Sequence, residues 1–92
     1  MILLITDPHN QKLTGLLVDA VQAAGLTVEP IDLGADPNVI ERYRLGRVPC
    51  VARIHAGLAV YLTDVPVSVA TFEADAEAAI KDYETAKAER LP

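Results

Sequence analysis

The opening of the chain restricts the fold more than any other feature. Met1 to Ile5 is wholly apolar, Thr6-Asp7-Pro8 closes it, and an amphipathic stretch follows that stops at Gly25. The apolar run is too short for a stable helix and lacks polar alternation, so it predicts a strand buried on both faces. From Leu13 the apolar residues recur at Leu16, Leu17, Val21 and Ala24, which share one helical face, with Gly25 as the stop. Asp7 or Asn10 caps that helix, with Pro8 in the first turn if Asp7 is the cap.

The remaining elements follow from local chemistry. Leu26 to Leu33 predicts a second strand through its β-branched content, and Pro30, which lacks an N–H donor, places it at a sheet edge. Asp36-Pro37 reads as a cap followed by proline at the first helical position, and Val39, Ile40 and Tyr43 form the apolar face of a short helix ending at Gly46. Val48 before Pro49 must be extended, so Cys50 to Ile54 predicts a third strand; Ala56-Gly57 turns it, and Leu58 to Thr63 pairs back as a hairpin. Phe72, Ala76, Ala79, Ile80, Tyr83 and the alkyl stem of Lys87 fall at helical spacing, with Glu73 and Asp75 near the start and Lys87 and Arg90 near the end, as a helix dipole favours. The order βαβ, α, ββα is that of an α/β domain in which parallel and antiparallel strands share one four-stranded mixed sheet with helices on both faces.

Composition bounds the rest. Ninety-two residues with 51% apolar and 23% charged side chains suit a single domain over 1–92 with one core. No apolar stretch approaches the ~20 residues of a membrane span, and no basic residue precedes Lys12, so neither a membrane nor a secretory signal is expected and the cytoplasm is the expected compartment. A net charge of −5 disfavours nucleic acid, whose phosphates need dense Lys and Arg. The basic residues Arg42, Arg44, Arg47 and Arg53 nonetheless cluster, whereas the C-terminal stretch from residue 71 is acid-rich. One cysteine, Cys50, makes no internal disulfide and no zinc site by itself.

Three segments carry a resemblance. Thr6-Asp7-Pro8 after the first strand, Ile31-Asp32 followed by Ala35-Asp36-Pro37-Asn38, and Arg47-Val48-Pro49 stand in the order and spacing of the thioredoxin-like superfamily, in particular its small glutaredoxin and NrdH-type members. The resemblance spans about Met1 to Thr63 and, by position, the last helix. It implies a thioredoxin-like fold with sheet order 2-1-3-4 and a cis peptide bond at Val48-Pro49. The family's redox chemistry requires a CxxC or single cysteine at the head of the first helix, where the helix end activates the thiol. That stretch here reads Asn10-Gln11-Lys12-Leu13, and no amide attacks a disulfide. A weaker resemblance, on Pro8, Asn10 and the Pro37 to Pro49 region, is to KaiB-like clock domains, which also lack the cysteine pair.

The candidate site residues are Asn10, Lys12, Arg47, Val48, Pro49 and Cys50. Lys12, Arg42, Arg44 and Arg47 form a positive rim around the Val48-Pro49 step that suits a ligand carboxylate, set against a solvated helix face in which Arg42 balances Glu41. Cys50 is either a thiol beside the groove or, as burial statistics favour, a small apolar residue of a central strand. His9 and His55 match no ligand spacing, and Ser68 lies in no nucleophile context. The expected function is a redox-inactive module that binds a protein or peptide partner and carries no cofactor. The alternatives are a divergent protein that binds glutathione or uses Cys50 for redox chemistry, and a regulatory domain that assembles with itself, a homo-oligomer, or with a partner.

Overall fold

A computed structural model describes residues 1–66 and 68–89. Arg90, expected to favour the last helix's C-terminal dipole, lies outside the described residues. The elements run β1 (Ile2–Thr6), α1 (Gln11–Ala24), β2 (Glu29–Asp32), α2 (Val39–Tyr43), β3 (Cys50–His55), β4 (Leu58–Thr63) and α3 (Val69–Glu89). They build a four-stranded mixed sheet of order β2-β1-β3-β4, with β1 parallel to β2 and antiparallel to β3, and β3 antiparallel to β4. The α/β architecture and the strand order agree with the sequence reading. Among the described residues no helix is long and apolar enough to cross a membrane.

Strand alternation divides the core in two. Leu3, Ile5, Cys50, Ala52 and Ile54 point to the face covered by Val39 of α2 and by Leu45. Leu4 and Val51 point to the other, against Leu17 and Val21 of α1 and Phe72 and Ala76 of α3. Because β1 is buried on both faces, it carries apolar side chains at nearly every position, which is why the opening of the chain lacks alternation. On α3, Phe72 and Ala76 are buried, while Ala79, Ile80 and Tyr83 are only partly so.

Turn chemistry sets the boundaries. Asn10 caps α1, its Oδ1 accepting the Leu13 N–H at 3.5 Å, whereas the Asp7 carboxylate takes the His9 N–H at 2.9 Å. At the far end Gly25, with φ 75°, donates to the Val21 and Gln22 carbonyls, the left-handed stop its sequence position predicts. Ala56 and Gly57 both have positive φ, 54° and 78°, so the β3–β4 turn has the handedness that matches strand twist. Ser68 Oγ accepts the Thr71 N–H at 3.1 Å and so caps the first turn of α3.

The bounds of two elements and one pairing differ from expectation. β2 covers Glu29–Asp32 rather than Leu26 to Leu33, because Leu26 and Val28 leave the sheet to pack beneath α1 and α3. α2 begins at Val39, not after an Asp36 cap: the Asp36 carbonyl closes a turn onto the Val39 N–H, and its carboxylate is held by Arg42. Arg42 therefore pairs with Asp36 rather than Glu41. α2 also stops at Tyr43, where Arg44 takes the left-handed conformation (φ 57°) expected of Gly46.

Candidate functional site

Local structure brings three segments together at one end of the sheet. The first two turns of α1 contribute Leu13, Leu16 and Leu17. The loop into β3 contributes Arg47, Val48 and Pro49, and the segment after β4 contributes Asp64 and Val65. They enclose an open groove of about 270 Å³. That lies at the lower end of the usual ~300–1,000 Å³ of ligand pockets. The Val48-Pro49 peptide bond at its floor is cis.

The groove is apolar and exposed. Leu13, Leu16 and Val65 are 51%, 59% and 66% exposed. Leu13 and Leu16, expected in the buried stripe of the first helix, are instead groove walls, and the core takes only Leu17 and Val21 from that stripe. Three large apolar side chains converging on one opening are a different matter from apolar residues scattered singly over a surface, which carry no message.

The expected site residues separate into those the fold gathers here and those it does not. Val48 is half-buried, Pro49 is buried, and Arg47 stands at the rim, where Nη1 meets Asp64 Oδ2 at 3.5 Å. Asn10 serves as the cap of α1, which fixes the helix start that carries Leu13. Lys12 is exposed and lies outside the groove lining. Arg42 is engaged by Asp36 through two bonds, at 2.9 and 3.4 Å, and its guanidinium is held above its ordinary titration range by that carboxylate. The positive rim is thus not assembled: of the four basic residues only Arg47 lines the groove, and it faces its own counter-charge. Asp64 and Val65 were missed by sequence reasoning; an apolar residue before Pro66, directly after a strand, was the available signal.

Cys50, next in sequence, is fully buried on the α2 side of β3. Burial pushes its thiol from an ordinary 9.0 up to about 11; Arg47 acts in the opposite direction and Asp64 adds to the rise. A thiol in that position is packing, with negligible thiolate at neutral pH.

A second hollow, between Asp7-Pro8-His9 and the α2 segment Leu33, Gly34, Pro37 and Ile40, is smaller at about 190 Å³ and more open. Among the described residues no three His, Cys, Asp or Glu side chains group as a metal site. No protein-family model matches the chain, and no curated protein and no solved structure is significantly similar to it.

Proposed function

We propose that this protein is a thioredoxin-like module without redox chemistry that binds an extended, apolar segment of a protein partner in the groove beside Val48-Pro49. The observation that carries the reading is the convergence of Leu13, Leu16 and Val65 on that step. The sheet order, the cis bond and the sequence resemblance support the thioredoxin-like part, and Asn10-Gln11-Lys12-Leu13 at the head of α1 offers no sulfur to attack a disulfide.

Energetics favour an apolar partner over an anionic one. Covering the exposed half of Leu13 or Leu16 contributes about 1 kcal/mol each, whereas a ligand carboxylate must compete with Asp64 for Arg47 in an exposed pair of little net value. Glutathione or an acidic peptide is therefore the weaker fit. A Cys50-dependent reaction has no support in a fully buried thiol.

The test is selection of linear peptides from a displayed library, followed by amide chemical shifts with the best binder. Shifts should centre on Leu13, Leu16, Val48 and Val65, and Leu16→Asp should weaken binding at least tenfold while leaving the melting temperature nearly unchanged, since Leu16 is exposed. Binding that maps elsewhere, or that Leu16→Asp leaves intact, would overturn the proposal.

A further inference from the structure

At the pole of β3 away from the groove, the side chains facing α3 change character. Val51 belongs to the core with Phe72 and Ala76. Arg53, next on that face, shares a hollow with Glu73 and Glu77, and its Nε is buried with no hydrogen-bond partner among the described residues. His55, the last, places Nε2 at 2.6 Å from Glu84 Oε1 and packs its ring edge-on against Tyr83, with centroids 5.7 Å apart. From Glu84 to Glu89 every residue of α3 is exposed. Among the described residues, the His55–Glu84 bond is the only hydrogen bond or ion pair that ties this stretch to the sheet.

We propose that His55 is a proton-operated clasp for the last turns of α3: charged, it grips Glu84 and holds those turns helical against the β3–β4 hairpin; neutral, it lets them fray. Apolar packing holds this part of the helix only weakly, because Ala76, the last buried residue of α3, lies about two turns before Glu84 and only the half-buried Ala79, Ile80 and Tyr83 stand between them. An imidazole is the side chain that changes charge between about pH 5 and 8.

The surroundings leave Glu84 as the counter-charge. On α3, Tyr83 contacts the ring and Lys87 lies within reach of Glu84, where it competes for the carboxylate. On β4, the residue opposite His55 is the uncharged Leu58, and the turn residues Ala56 and Gly57 carry no charge. Just before β1, Met1, whose carbonyl takes the Ile54 N–H, brings its ammonium to this end, and Arg53 is the cation of β3 on the same side. His55 holds Glu84 below the usual carboxylate range, so the carboxylate stays charged into mild acid. The ion pair therefore needs a charged Glu84 carboxylate and a protonated imidazole, and it weakens once the ring gives up its proton.

Carbon-13 Cα shifts of residues 84–89, recorded from pH 5 to 8, read the helical-to-frayed ratio directly. The ratio should fall about two- to fivefold, the range of an exposed ion pair, with a midpoint that coincides with titration of the His55 ring. Glu84→Gln, an exposed change that leaves the core untouched, and His55→Gln should both flatten the profile. A flat profile in the unaltered protein, a midpoint that follows His9, or an unchanged profile in Glu84→Gln would overturn the proposal.

Discussion

At the scale of single residues, Cys50 shows how position decides chemistry. It directly follows the cis-proline step and adjoins the groove in sequence, yet strand alternation turns its side chain away, into the α2-side core. Raising its titration from 9.0 to about 11 lowers the thiolate fraction at neutral pH about a hundredfold, so native protein should react with a thiol reagent about two orders of magnitude more slowly than unfolded protein. The same shift fixes an alkaline limb of stability. Between those two values the unfolded chain has lost the proton and the folded chain keeps it, so stability falls as pH rises through that window, by up to about 1.4 kcal/mol per pH unit. Denaturation followed from pH 8 to 10 should show the start of this limb in the unaltered protein and lose it in Cys50→Ala, which itself costs roughly 1 kcal/mol. Tyr61 adds a limb of the same sign that opens near 10.0, inside the upper half of this window, because burial and its bond to Asp75 raise its phenol. A limb below 10.0 that survives Cys50→Ala would contradict the burial of the thiol.

At the scale of elements, the β3–β4 hairpin turns on a residue that prefers otherwise. Ala56 sits at φ 54° without the local side-chain hydrogen bonding that lets Asn tolerate such a conformation. Ala56→Asn should stabilise the protein by about 0.5–1 kcal/mol, part of the cost that the left-handed conformation imposes on alanine, measured by chemical denaturation, with no change in groove binding. The hairpin was legible because Gly57 and two short β-rich runs signal it locally. β1, β3, α3 and the glycine stop of α1 were legible for the same reason: short-range pattern determines them. What the sequence hid depends on distant partners. Asp36 and Pro37 look like a helix start, but Arg42 six residues on captures the carboxylate, and no local pattern encodes that choice. Likewise Leu13 and Leu16 share a face with Leu17 and Val21 by period alone. Whether that face meets core or solvent is decided by how far the cover extends, and the head of α1 lies beside the Val48-Pro49 loop rather than beneath α3.

At the scale of the whole molecule, two small cores share one sheet, and each depends on few large side chains. On the α1–α3 side Phe72 is the largest buried residue, in edge-to-face contact with Tyr61 at 5.2 Å between centroids. Phe72→Ala should cost about 3–5 kcal/mol, a large share of the ~5–15 kcal/mol that stabilises a typical domain. Urea unfolding provides the measurement. A cost near 1 kcal/mol would mean that α3 contributes little to that core. The groove lies where α1, the β3 loop and the segment after β4 meet, so its walls rest on this same core.

The two margins of the sheet differ in kind. The β2 margin carries Glu29, Pro30 and Asp32, so one backbone donor is missing and an incoming strand meets two carboxylates. The β4 margin, Leu58–Thr63, has neither proline nor charge. In terms of valence, the sheet offers one bonding edge and one blocked edge. Growth strand upon strand, the route to fibres, needs both, so an added strand at β4 would be the last one the sheet accepts through its own edges.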